Sequence, residues 1–119
     1  MFVVDDDESV CRALKRLMKS VGLAVKTFTS AEDFLNQGCQ NVPGCLILDV
    51  RMPGISGLEF QEKLVESGST MPIIFISAHE DIQAREQGLR AGAVSFLRKP
   101  FEDQELLDAV YSTFKESAK

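Results

Sequence analysis

Short apolar runs alternate with stretches of helical spacing, five times along the chain. Phe2-Val3-Val4 is the first run. Behind it Val10, Leu14, Leu17 and Val21 recur at i, i+4, i+7 and i+11, one face of a helix that Gly22 ends. Ala24–Phe28 alternates apolar and polar residues, as a partly exposed strand does. Ser30 with Asp33 resembles a helix start, and that short helix carries Phe34 and Leu35 and stops near Gly38. Cys45-Leu46-Ile47-Leu48 is continuously apolar, which predicts a strand buried on both faces.

Met52-Pro53-Gly54 predicts a turn, and Ser56-Gly57-Leu58-Glu59 a capping box opening a third helix that ends before Gly68. Ile73–Ile76 is a further buried strand. Asp81–Arg90 predicts a weaker helix, with only Ile82, Ala84 and Leu89 as apolar residues and Gly88 as an interruption. A helix that buries so little is mobile or waits for a partner. Val94–Arg98 predicts the fifth strand, and a last helix aligns Leu106, Leu107, Val110, Tyr111 and Phe114. Regular alternation of strand and helix predicts an α/β fold, a doubly wound parallel sheet with right-handed crossovers. No repeat or low-complexity run interrupts it.

Length and composition narrow the class. The 119 residues suit one domain, 1–119, with a core of ordinary size. A net charge of −5 leaves no basic footprint for direct nucleic-acid binding. Cys11, Cys39 and Cys45 are odd in number and form no C-x-x-C pair, so they read as small apolar fillers in a reducing compartment. No signal peptide or membrane-length apolar run is visible, and a cytoplasmic location without membrane contact is expected.

The informative chemistry lies where the runs end. The first runs into Asp5-Asp6-Asp7, the third into Asp49, the fourth into Ser77 and the fifth into Lys99-Pro100. Open parallel α/β sheets bind ligands at the carboxyl ends of their strands. One crevice is therefore expected to gather acids, a hydroxyl and an amine. Asp7 and Glu8 also suit the N-terminus of the first helix. Crowded carboxylates raise a pKa or recruit a cation, and hard oxygen donors suit Mg²⁺, or Mn²⁺ in its place. Asp49 is the candidate nucleophile, since carboxylates form aspartyl-phosphates. Lys99 and Ser77 supply charge and a donor for phosphoryl oxygens. A cis Lys99-Pro100 bond would aim Lys99 into the crevice. No G-x-x-x-x-G-K-[ST] or G-x-G-x-x-G motif points to a nucleotide.

At these residues the chain resembles a response-regulator receiver domain of the CheY type, from Val3 to about Phe114. The resemblance rests on the acid pair, on Leu-Asp-Val-Arg-Met-Pro-Gly around Asp49, on Ile-Ser-Ala at Ser77 and on Lys-Pro-Phe at Lys99. Asp49-Val-Arg-Met-Pro-Gly-Ile-Ser-Gly, and the stretch from Arg90 to Glu102, are similar to the FixJ-like branch. The resemblance implies a flavodoxin-like five-stranded parallel sheet of order 2-1-3-4-5 in a three-layer sandwich. It implies that Asp49 accepts a phosphoryl group from a partner histidine kinase, with no other enzymatic role than self-phosphorylation from phosphodonors and autodephosphorylation. Asp6, Asp49 and the Arg51 carbonyl would hold Mg²⁺, with Asp5 acting mainly through water. Ser77 would move toward the phosphoryl group, Phe96 would rotate inward behind it, and Lys99 would pair with its oxygens. Phe96 stands where some members have tyrosine, so its switch is steric. Arg51 and His79 flank the attacking water of dephosphorylation and would alter the rate of phosphate loss in either direction.

The surface that changes is expected to include Ile82, Arg85, Glu86, Arg98 and Phe101, and to support phosphorylation-dependent homodimerisation. FixJ-like regulators carry a helix-turn-helix output domain that 119 residues do not hold, so the chain reads as a receiver cut from a transcription factor, with residues 116–119 opening a linker. A stand-alone signalling module acting by protein binding is the alternative. A haloacid-dehalogenase-type phosphatase is disfavoured by Arg51, which stands where that chemistry needs a second aspartate. A degenerate, phosphate-independent receiver is disfavoured by the full set Asp5, Asp6, Asp49, Ser77 and Lys99.

Overall fold

The computed structural model describes residues 1–38, 42, 44–78 and 81–117, with side chains to 114. The order is β1 (Phe2–Val4), α1 (Glu8–Ser20), β2 (Lys26–Phe28), α2 (Ala31–Asn36), β3 (Leu46–Asp49), α3 (Gly57–Glu66), β4 (Ile73–Ser77), α4 (Ile82–Arg90), β5 (Ser95–Arg98) and α5 (Asp103–Ser117). The strands form one parallel sheet in the order β2-β1-β3-β4-β5, as expected. Residues 116 and 117, expected to start a linker, continue α5.

Each strand's alternation splits the core into two layers. Val3, Cys45, Ile47, Ile74 and Ile76 face α1 and α5. Phe2, Val4, Leu46, Leu48 and Phe75 face α2, α3 and α4, where Phe2, Phe28, Phe34 and Phe60 meet as a chain of rings. The central strands β3 and β4 are buried throughout, so both of their faces read as apolar. The edge strand β2 is two residues shorter than the alternation predicts, because pairing with β1 covers only Lys26 to Phe28.

The buried stripe on α1 keeps Leu14 from the predicted one but takes the next residue at two other positions. Cys11, Leu14 and Met18 are buried, while Val10 and Leu17 flank them. Val21 is the exposed C-cap. On α5 the buried line is Leu106, Val110 and Thr113, with Leu107 beside it. Tyr111 and Phe114 fall a third of a turn away, exposed, and stack on each other at 6.2 Å between ring centroids. The N-caps follow the sequence: Ser30 accepts the Asp33 amide at 3.1 Å and Ser56 the Glu59 amide at 3.2 Å.

Candidate functional site

The register of the parallel strands brings their carboxyl ends to one edge of the sheet. Asp49 closes β3, Ser77 closes β4, and Asp5 and Asp6 follow β1 directly. Carboxylate oxygens of Asp5, Asp6 and Asp49 all lie within 4.8 Å of one another. Asp5 is wholly buried, Asp49 is buried, and Asp6 is exposed at the mouth. Asp7 caps α1, its carboxylate accepting the Ser9 amide at 2.9 Å, and these hydrogen bonds hold its pKa below the usual value.

Asp5 is held from two sides. Its Oδ1 accepts the Asp7 amide at 2.9 Å, and its Oδ2 accepts the Lys99 ammonium at 2.9 Å. Lys99 lies farther from Asp49, at 3.9 Å from its Oδ1. The Lys99 ammonium thus sits nearer Asp5 than Asp49. The Lys99-Pro100 peptide is cis. The Lys99 amide donates to the Ser77 carbonyl at 2.7 Å, which ties the end of β5 to the end of β4. Ser77 itself is buried.

Asp49 is the electrostatically distinctive group. Burial, then the neighbouring Asp5, push its pKa up to about 7, against the opposing pull of Lys99 and the Arg51 amide 3.5 Å from its Oδ1. A carboxyl that keeps its proton near neutrality is a weak nucleophile. The same crowding makes the site a receptor for positive charge. Three carboxylates with no nitrogen or sulfur donor fit a hard divalent cation.

The remaining expected residues separate into groups. Phe96 is half-buried, and its ring lies 6.1 Å from that of Phe75, which in turn packs against α4 at Gly88. Ile82, Arg85, Glu86 and Arg98 are exposed. Phe101 is half-buried: it packs against the α1–α5 layer and lines a cavity of about 290 Å³ with Val10 and Leu17. The Arg51 guanidinium reaches Asp81 at 3.0 Å. His79 lies outside the described residues.

Three residues that position the site escape a reading of local pattern. A side chain on Gly57 would place its Cβ 2.3 Å from the Asp49 carbonyl oxygen, so α3 can start against the Asp49 backbone only with glycine there. The capping box that marks this helix start was the available signal. Gln61 is buried and donates to the Gly88 carbonyl at 2.9 Å. Gly88, which reads as an interruption, is a close approach: a Cβ there would meet the Phe75 ring at 2.8 Å. Nothing local announces either contact.

Residues 1–111 match the family model described as the response regulator receiver domain. The response regulator protein TmoT of Ectopseudomonas mendocina is 50% identical over 115 residues, 97% of this chain and 52% of that protein. The transcriptional regulatory protein FixJ of Azorhizobium caulinodans is 42% identical over 98% of this chain and 55% of its own length. In structure the chain is similar to the response regulator StyR, with a TM-score of 0.91 and 48% identity over 98% of this chain and 59% of that one. The chain spans a little over half the length of these relatives.

Proposed function

The chain belongs to the response regulator receiver domain family of two-component systems, and from that premise we propose that Asp49 is its phosphoryl acceptor, fed by a sensor histidine kinase. The observation that carries this reading is the acid cluster at the strand ends, in which Asp49 is buried and its pKa raised. An Asp49 oxygen attacks the phosphorus of a phosphohistidine. The P–N bond breaks, the leaving imidazole takes up a proton, and an aspartyl-phosphate remains.

Asp5, Asp6, Asp49 and the Arg51 carbonyl are the groups that would hold Mg²⁺ or Mn²⁺. The bound cation supplies charge that keeps Asp49 ionised and offsets the phosphoryl oxygens. Lys99, 3.9 Å from Asp49, is placed to turn from Asp5 to the phosphoryl group once the acids are neutralised. Ser77 donates its hydroxyl to a second oxygen, and Phe96 follows into the space behind it. The exposed residues Ile82, Arg85, Glu86 and Arg98 form the surface that answers.

Among the described residues no helix is long and apolar enough to cross a membrane. We place the protein in the cytoplasm, where its surface change would support homodimerisation and govern a DNA-binding output domain in a longer polypeptide. The test is intact-mass spectrometry after incubation with acetyl phosphate and Mg²⁺. One added phosphate, absent from Asp49→Asn and abolished by EDTA, is expected. An added phosphate that survives in Asp49→Asn would overturn the assignment.

A further inference from the structure

The Arg51–Asp81 ion pair joins two places that function must connect. Arg51 stands two residues past Asp49, and its amide already lies 3.5 Å from the Asp49 carboxylate. Its side chain leads the other way. The guanidinium, more than half exposed, meets Asp81 Oδ2 at 3.0 Å. The other oxygen of Asp81 caps α4, accepting the Ala84 amide at 3.0 Å. One carboxylate thus starts α4 and ties that start to the loop behind the acceptor, above an open groove lined by Met52, Pro53, Ser56 and Leu58.

Resting on the proposed phosphorylation of Asp49, we infer that Arg51 is a phosphoryl-binding residue held in reserve by Asp81, and that its transfer to the phosphoryl oxygens unties the start of α4. An exposed ion pair is weak and easily exchanged. A phosphoryl group brings about −1.5 to −2 charge and oxygens that match the guanidinium fork. Arg51 therefore gains by leaving Asp81. Asp81 keeps its bond to Ala84, so α4 stays helical while its tether to the β3–α3 loop is lost. The tie at the other end of α4, Gln61 to the Gly88 carbonyl, is buried and remains. The helix is released at one end only.

Beryllofluoride with Mg²⁺, titrated by calorimetry against the full chain, tests the exchange. Asp81→Asn keeps a capping oxygen for Ala84 but drops the charge that holds Arg51. It should tighten binding roughly two- to fivefold. Arg51→Gln should weaken binding about tenfold. In the double variant Asp81→Asn should have no further effect, because no arginine is left to release. Equal tightening by Asp81→Asn with and without Arg51, or no tightening at all, would overturn the inference while leaving Asp49 as acceptor. No binding to the unaltered protein would overturn both readings. Circular dichroism of the variants separates loss of α4 from loss of the exchange.

Discussion

Helices α1 and α4 begin alike and end alike, yet they hold the sheet by opposite means. Each is capped by an aspartate, Asp7 or Asp81, and each carries a basic residue in its last turn. They differ in what they lay on the sheet. α1 buries Cys11, Leu14 and Met18, whereas α4 buries Ala84 and Gly88. Full burial of a leucine or methionine contributes about 1.5–3 kcal/mol, so α1 is anchored by volume. α4 offers almost no volume. Among the described residues its named polar ties are Arg51 to Asp81, exposed, and Gln61 to Gly88, buried. The lesson is that equal local helix chemistry leaves a helix fixed or movable according to the size of the side chains it turns inward.

The largest break in that comparison comes from removing volume on the α1 side. Met18→Ala should cost about 2–5 kcal/mol in urea unfolding, because Met18 is wholly buried between α1 and the sheet. Adding volume on the α4 side is the converse. Gly88→Ala should cost about 1–3 kcal/mol, since its methyl would meet the Phe75 ring at 2.8 Å. Hydrogen exchange should then quicken in α4 beyond the global loss, while α1 tracks global stability.

A third probe acts in the crevice above both faces. The folded chain holds the Asp49 proton up to about 7, against an ordinary value of 3.8. It therefore binds more protons than the unfolded chain between those values. The stabilising contribution is full below the ordinary value and is lost as pH rises through about 7. Asp49→Asn should match the unaltered protein near pH 4 and exceed it in stability at pH 8 in the same urea unfolding. Mg²⁺ should narrow that gap at pH 8 by stabilising only the protein that keeps the carboxylate. The smallest effect belongs to the outer face of α4. Ile82 is 65% exposed, and Ile82→Ala should shift unfolding by less than about 0.5 kcal/mol.

Much of this was legible in the chain. Buried parallel strands announce themselves as unbroken apolar runs, and Asp5, Asp6, Asp49, Ser77 and Lys99 stand at their ends. Hence the layers, the strand order and the gathering of the acids follow from pattern and resemblance together. Contacts between distant segments were not legible. Gly88 looks like a weak point in a helix until Phe75 is seen beneath it. Gln61 looks like a solvated glutamine until Gly88 presents a carbonyl 27 positions on. Arg51 looks free to serve the crevice until Asp81 is found holding it. On α1 the apolar spacing marked the right side of the helix but not which residues point straight inward: Cys11 and Met18 are buried beside Leu14, and Val10 and Leu17 flank them.

Tyr111 has a consequence for how the protein can be watched. It is the sole tyrosine of a chain without tryptophan. It sits on α5 about 12 Å along the axis from Asp103, beside Phe114 and partly in solvent. Its emission therefore reports on the far end of that helix. Loss of the fold should change the signal. The chain carries a built-in optical gauge of unfolding, read from one ring at one known position.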